Sequence, residues 1–176
     1  HNQQSGKNWI YYMNGTQVDG GAPVNVVNAV WQGMRGDLNG DGTADLVWRN
    51  TSNGQNYGYL MSDNQLIEGT SLPVVPLDWT LQAIADFDGN GSDDLLWYQS
   101  STGTVWLYQM DGLVVSASKK VATVSTDWRI DGVGDISGDG KADILWRHIS
   151  SGMLWVYEMN GPVISNNFSI ATVGLE

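Results

Sequence analysis

The chain has no cysteine, only two histidines and only eight lysines and arginines among its 176 residues. The absence of cysteine excludes a disulfide scaffold and a thiolate metal site. Nineteen aspartates and glutamates leave a formal charge of −11, which argues against a nucleic-acid partner because DNA and RNA are polyanions. No apolar run reaches the length of about 18 residues that a membrane-spanning helix needs, so we expect no membrane span.

Glycine and tryptophan are abundant instead. The chain contains 22 glycines and nine tryptophans, and 41% of its residues are hydrophobic. Glycine at this level, without the strict period of collagen, indicates many tight turns and therefore many short strands. The sequence contains no amphipathic helical pattern, so we expect an all-β protein.

The sequence repeats itself with a period of about 49 residues, which is the signature of a repeat architecture. The residues that recur at this spacing are Asp37, Asp86 and Asp135; Trp48, Trp97 and Trp146; and Met61, Met110 and Met159. The chain holds about 3.6 copies of the unit. We predict a partial unit at 1–30, equivalent to the second half of a repeat, and complete units at 31–78, 79–127 and 128–176.

Each unit has the pattern of short strands. A brief apolar run that ends in tryptophan, such as Leu95–Trp97, is followed by a glycine turn and an alternating stretch such as Trp106–Met110. Residues two apart lie on one face of a strand. The dipeptide Asp111-Gly112 then predicts a hairpin turn. About four strands in a unit of this length indicate a β-propeller-type blade of four antiparallel strands.

Three nine-residue loops, at 37–45, 86–94 and 135–143, concentrate the acidic residues. Each has oxygen-bearing side chains at positions 1, 3, 5 and 9 and glycine at positions 4 and 6. Ca²⁺ takes about six to eight oxygen ligands, and glycine permits the tight curl that this requires. Position 7 would offer its backbone carbonyl, which explains why its side chain varies. The candidate ligands of about three Ca²⁺ ions are Asp37, Asn39, Asp41, Thr43, Asp45, Asp86, Asp88, Asn90, Ser92, Asp94, Asp135, Ser137, Asp139, Lys141 and Asp143.

Carboxylates packed into one loop repel one another unless a cation neutralises them. Three Ca²⁺ ions would change the formal charge of the chain from −11 to −5. An EF-hand would need glutamate at position 12 of the loop, where this chain has Trp48, Trp97 or Trp146. Two alternatives stay open: metal-free Asp/Asn/Gly turns, and calcium ions whose only role is structural.

The motif Asp-x-Asn/Asp-Gly-Asp/Asn-Gly-x-x-Asp-Leu/Ile-x-Trp, followed by a glycine turn and Met-Asn-Gly, resembles the FG-GAP/VCBS repeats of bacterial secreted proteins. These repeats are related to the calcium-binding blades of integrin α-subunit propellers. The resemblance covers nearly the whole chain. It implies four-stranded blades with Ca²⁺ in the turn between the first two strands, a secreted or cell-surface location, and a role in binding or cell adhesion.

Two features depart from the family pattern. Ser137 replaces the usual Asp or Asn at position 3 of the third loop, and residues 1–30 lack an acidic loop. Propellers generally close with about four to eight blades. Because an open array exposes a sheet edge and an apolar flank, we expect the chain to self-associate or to belong to a longer propeller chain.

Three functions are compatible with these features. The first is a calcium-stabilised, non-enzymatic module that binds a glycan or a protein, since aromatic faces suit the C–H patches of sugars. We expect the repeated tryptophans to be core residues, and Tyr12 and Tyr98 are the less regular candidates for an exposed contact. The second is the scaffold of a secreted polysaccharide lyase or hydrolase. The third is a structural or assembly element.

Catalytic groups are scarce in the sequence. The two histidines are His1 and His148, and most carboxylates belong to the acidic loops. Acid–base catalysis needs a positioned pair of groups with separated pKa values, and no such pair stands out. We therefore expect a binding module and not an enzyme, with its ligand-binding residues unassigned.

Overall fold

The structure is a computed structural model of the chain, and it describes residues 8–14, 16–24, 29–63 and 65–174. Within these ranges the chain forms strands and turns without a helix, so no described segment is a helix that could cross a membrane. The strands, in chain order, are β1 (Asn8–Asn14), β2 (Gln17–Val24), β3 (Trp31–Gly36), β4 (Asp45–Asn50), β5 (Asn56–Ser62), β6 (Gln65–Leu72), β7 (Thr80–Ala85), β8 (Asp94–Gln99), β9 (Thr104–Asp111), β10 (Val114–Thr123), β11 (Trp128–Gly134), β12 (Asp143–His148), β13 (Met153–Asn160) and β14 (Val163–Thr172).

Within each sheet, consecutive strands pair in antiparallel fashion. They form one two-stranded sheet, β1–β2, and three four-stranded sheets, which we call the first (β3–β6), the second (β7–β10) and the third (β11–β14). A four-stranded antiparallel meander is the form of a propeller blade. The predictions of an all-β protein and of four-stranded blades are confirmed.

The hairpin between the third and fourth strands of each sheet needs a residue in the left-handed region. Gly112 and Gly161 supply it in the second and third sheets, with φ of +59° and +57°. The first sheet has Asp63 at the equivalent place, with φ of +47°. Aspartate tolerates this region because its short polar side chain bonds locally. The hairpin therefore forms there although the dipeptide signal is missing.

The core lies where neighbouring sheets face each other. In β8, Leu95 and Trp97 pack with Val47 of the first sheet, whereas the intervening Leu96 packs with Ile144 of the third. Successive residues of a strand point to opposite faces, so the second sheet is buried on both sides. This double burial explains why the strand is a continuous apolar run.

Trp48, Trp97 and Trp146 are core residues, as expected from their register, and none is more than 6% exposed. Tyr98, which the sequence suggested as an exposed contact, is only 7% exposed. That prediction is wrong because Tyr98 faces the third sheet, where its hydroxyl donates to the Trp128 carbonyl at 3.3 Å. The side chain of Tyr12 lies outside the described residues.

Candidate metal centre

Each acidic loop connects the first strand of a four-stranded sheet to the second. The loop reverses the chain within a few residues, and its two glycines make this possible. In the second loop, Gly89 and Gly91 have φ of +79° and +91°, a region that side-chain-bearing residues rarely adopt. Their counterparts in the other two loops have φ between +72° and +86°. The three loops therefore share one backbone conformation.

The position 1 carboxylate lies inside this curl and accepts several backbone N–H groups. Asp86 accepts from Gly89 at 2.7 Å on one oxygen and from Gly91 at 2.9 Å on the other. Asp37 and Asp135 accept from the corresponding glycines at 2.6–3.0 Å. These bonds set the loop conformation. The Oδ1 atom of each of these carboxylates accepts a second backbone N–H at 3.1–3.2 Å, so Oδ2 is the oxygen that keeps a lone pair for a further partner.

The position 9 carboxylate is buried and connects the loop to the third strand of the sheet. Asp94 has no exposed surface, and its two oxygens accept from the backbone N–H groups of Phe87 at 3.2 Å and Met110 at 2.9 Å. Asp45 and Asp143 make the same two bonds in their own sheets. Sequence reasoning missed this link, although the constant separation of 16 residues between each aspartate and its methionine was visible.

Burial changes the proton affinity of Asp45 and Asp94, the position 9 carboxylates of the first two loops. Loss of water around Asp94 raises its pKa to about 7, although its two backbone hydrogen bonds oppose the shift. Burial also raises the pKa values of Asp45 and Asp93. A buried carboxyl prefers to be neutral unless a positive charge lies beside it. A cation in the loop would supply that charge and keep Asp94 ionised.

The second loop has the donor set and spacing that a calcium ion requires. One oxygen each from Asp86, Asp88 and Asp94 lies within 4.8 Å of the others. Oxygens at the usual Ca²⁺–O distance of about 2.4 Å on opposite sides of one ion are about 4.8 Å apart, so a single ion can contact all three. Asn90 also carries an oxygen in this loop, and it accepts the Ser92 N–H at 2.7 Å. The residues therefore fit a hard, oxygen-preferring cation.

The other two loops are arranged differently. Of the described residues, only those of the second loop bring three carboxylates together in this way. In the first loop, Asp41 at position 5 accepts the Thr43 N–H at 2.7 Å and the Asn39 side-chain amide at 3.0 Å. The hydrogen bond from the Asn39 side chain is the main reason why the pKa of Asp41 lies below its usual value.

The third loop contains a positively charged side chain. Lys141 stands at position 7, and its ammonium lies 3.4 Å from the carboxylate of Asp139. The backbone N–H of Lys141 donates to the same carboxylate at 2.9 Å and is the first cause of its lowered pKa. At position 3, the Ser137 N–H donates to Asp143 at 2.8 Å. Sequence reasoning had considered only the backbone carbonyl of Lys141 and missed this ion pair.

The loops also connect neighbouring sheets. The Asp93 N–H donates to the Asp37 carbonyl, and the Asp93 carboxylate accepts the Asp37 N–H, both at 2.7 Å. Ala142 repeats the first of these bonds towards Asp86, also at 2.7 Å. The hairpin between β9 and β10 adds another bond to the first loop: the Gly112 N–H donates to the Leu38 carbonyl at 3.0 Å. Each of the first two loops is therefore part of a sheet–sheet junction.

Comparisons with known proteins agree with this architecture. An FG-GAP-like repeat family matches residues 86–146, and an FG-GAP repeat family matches residues 29–61. No protein of curated function is similar enough in sequence to match. An Agrocybe aegerita lectin, described as specifically recognising non-reducing terminal N-acetylglucosamine, is similar in fold at a TM-score of 0.62 and 19% identity. The alignment covers 80% of this chain and 38% of the lectin chain.

Proposed function

We propose that this chain, an FG-GAP repeat protein built from β-propeller-type blades, is a calcium-stabilised, non-enzymatic binding module that recognises glycans outside the cell. The observation that carries the calcium part is the second loop, where three carboxylates, one of them fully buried, each place an oxygen within 4.8 Å of the others. A buried carboxylate among like charges is unfavourable without a counter-ion. We extend the proposal to about three ions because the loop conformation recurs.

We include the extracellular location in the proposal because a calcium-stabilised module needs calcium at a concentration that matches its sites. Extracellular modules typically bind calcium with dissociation constants of about 10⁻⁴–10⁻³ M, which suits the calcium concentration outside cells. Family resemblance supports the same location and an adhesion role. The glycan part is supported by the abundance of aromatic side chains and by the fold shared with a β-propeller lectin.

Removing calcium should lower the melting temperature. At about 10 mM Ca²⁺, each ion would stabilise the folded chain by about 1–3 kcal/mol, which corresponds to several degrees. The difference in melting temperature between the chain with calcium and the chain without it should be larger at about pH 8 than at about pH 6. Asp94 has a folded-state pKa above its unfolded value, so without calcium its contribution to stability falls as the pH rises through about 7. Calorimetry with excess chelator measures both effects, and a melting curve that chelator leaves unchanged would contradict the calcium proposal.

Glycan binding should be tested on an array that includes N-acetylglucosamine-terminated chains, once with about 2 mM Ca²⁺ and once with chelator. We expect retention of terminal sugars with calcium and weaker retention without it. Binding to proteins alone would replace the glycan proposal with the protein-ligand alternative. Cleavage of a polysaccharide by this protein would overturn the non-enzymatic part of the proposal and favour the lyase or hydrolase scaffold.

We further propose that these blades belong to a longer propeller or assemble with other copies. The matched lectin chain is more than twice as long as the segment that this chain covers, and propellers usually close with about four to eight blades. Sedimentation at micromolar concentration should show self-association of the isolated chain. A strictly monomeric species would contradict assembly with other copies and leave membership of a longer propeller chain as the proposal.

A further inference from the structure

Two cavities of about 220 Å³ each lie at equivalent places in the second and third sheets. The first is lined by Pro76 and by six residues whose positions recur in the repeat: Val75, Trp79, Trp97, Trp106, Tyr108 and Ser118. Each of these six positions has its counterpart 49 residues later in the lining of the second cavity. All described lining residues of both cavities are uncharged. The repeat has therefore built one neutral, aromatic cavity twice.

The walls of each cavity are aromatic rings in a defined arrangement. Trp79 and Trp106 meet edge to face, with centroids 6.4 Å apart and planes at 88°. The counterpart pair, Trp128 and Trp155, has the same 6.4 Å separation and an angle of 77°. Edge-to-face contacts are favoured by the ring quadrupoles, so the rings support each other without a ligand. Little ordering is then needed when a ligand binds, which preserves affinity.

The preceding sheet braces the back of each cavity. Arg49 of the first sheet donates to the carbonyls of Val75 and Trp79 at 3.2 and 2.9 Å. Its guanidinium carbon also lies 4.9 Å from the centre of the Trp97 ring. Behind the second cavity, Tyr98 stands at the repeat position of Arg49, and its hydroxyl donates to the Trp128 carbonyl. The cavities therefore depend on the correct packing of two neighbouring sheets.

Each cavity has one exposed polar side chain in its lining, Ser118 in the first and Asn167 in the second, and we call this position the rim. The Trp106 indole N–H donates to the Ser118 hydroxyl at 2.8 Å, and the Trp155 indole N–H donates to the Asn167 side-chain oxygen at 3.3 Å. A serine hydroxyl that accepts one hydrogen bond still has its own proton to donate, and the asparagine amide has two. Each rim thus offers an oriented donor beside an aromatic wall.

The first sheet lacks this rim. Gly69 occupies the position of Ser118, and a Cβ atom there would lie 2.8 Å from the ring of Tyr59. The tyrosine ring thus takes the space of a rim side chain. Tyr57, at the position of Trp106, is 39% exposed and has no indole N–H. The first sheet can therefore serve as a control for the two sheets that have the rim.

We infer that the two cavities are equivalent subsites, each of which holds one neutral pyranose residue at the end of a glycan; this inference rests on the proposed glycan-binding function. The aromatic walls suit the apolar C–H face of the sugar ring, and the rim donor suits a hydroxyl or acetamido oxygen. The uncharged lining and the net charge of −11 disfavour anionic sugars such as uronic acids. Two subsites on one chain also allow bivalent binding of branched or clustered glycans.

The test is a titration of the full chain, with about 2 mM Ca²⁺, by methyl glycosides of glucose, galactose and their 2-acetamido analogues. Methyl glucuronide is the anionic counterpart. We expect about two neutral sugars per chain by calorimetry. Trp106→Ala or Trp155→Ala should each remove one site, and the double variant should remove both. Ser118→Ala, at an exposed position, should weaken its own site about tenfold without affecting folding.

Tyr57→Ala in the first sheet is the matched control and should leave both sites intact, and melting curves of all variants check folding. Unchanged sugar binding by folded Ser118→Ala and Trp106→Ala would place the sugar elsewhere and overturn this inference, while the proposed function would stand. Binding of methyl glucuronide in place of neutral sugars would overturn the assigned sugar class. An array without any glycan binding would overturn the function and the subsites together.

Discussion

Replacing Gly103 with alanine is expected to destabilise the chain by about 3–5 kcal/mol, a large part of the roughly 5–15 kcal/mol that stabilises a typical folded protein. Gly103 has φ of +71°, and an added Cβ would lie 1.7 Å from the carbonyl oxygen of Val124. The obstacle is backbone, which cannot rotate away as a side chain could. The Val124 N–H also donates to the Gly103 carbonyl at 2.9 Å, so the clash would disrupt the connection between the second and third sheets.

Gly112→Ala is the matched control for this variant. Gly112 lies in the same sheet with φ of +59°, but a Cβ there would meet nothing within 4 Å. Only backbone strain remains, so we expect a loss of about 1 kcal/mol. Denaturant unfolding of both variants with calcium measures the difference. Similar losses for the two variants would show that strain, and not the contact with Val124, explains the need for glycine.

Replacing Asp94 with alanine should lower the stability by about 2–5 kcal/mol and remove calcium from the second loop. The backbone N–H groups of Phe87 and Met110 would lose their acceptor in a buried environment, at a cost of about 1–3 kcal/mol each. The ion would also lose the one candidate carboxylate of this loop that has no exposed surface. Chelator should therefore change the melting temperature less in this variant than in the unmodified chain.

Asp88→Asn separates ion binding from loop structure. Asp88 belongs to the same carboxylate cluster, and its side chain accepts a hydrogen bond from Gln109. Asp88 also accepts the Asn90 N–H at 3.1 Å on its other oxygen. Asparagine keeps one oxygen for one of these two exposed or half-buried bonds and removes one negative charge. We expect weaker calcium binding with little change in stability without calcium. If this variant were as unstable in chelator as Asp94→Ala, the cluster would be needed for folding and not for an ion.

The repeated pattern of the sequence predicted most of the fold. The alternating stretches and glycine turns indicated strands, and the period of about 49 residues indicated blades, because each signal is local or repeats in register. Position 63 shows the limit of such reasoning. The dipeptide rule finds no hairpin there, yet the antiparallel pairing of β5 with β6 imposes one.

The candidate metal site was only partly visible in the sequence. The side-chain oxygens and glycines of the loops could be chosen because their spacing fits a single ion. The separation of Asp94 from Met110 was also visible, but its meaning depends on the pairing of β8 with β9. The side chain of Asp93 is a clearer case, since its partner Asp37 lies 56 residues away on another sheet. No local sequence pattern predicts such a hydrogen bond.

The sequence by itself determined that this protein is an all-β repeat with three acidic, glycine-rich loops, because strand alternation, turn chemistry and loop spacing are properties of short segments. Tertiary structure decided what lies between the repeats. Only the packing of neighbouring sheets buried Tyr98 and set Arg49 behind Trp97. The physical reason is that burial and sheet–sheet contact depend on residues about 50 positions apart, which meet only when the blades stack.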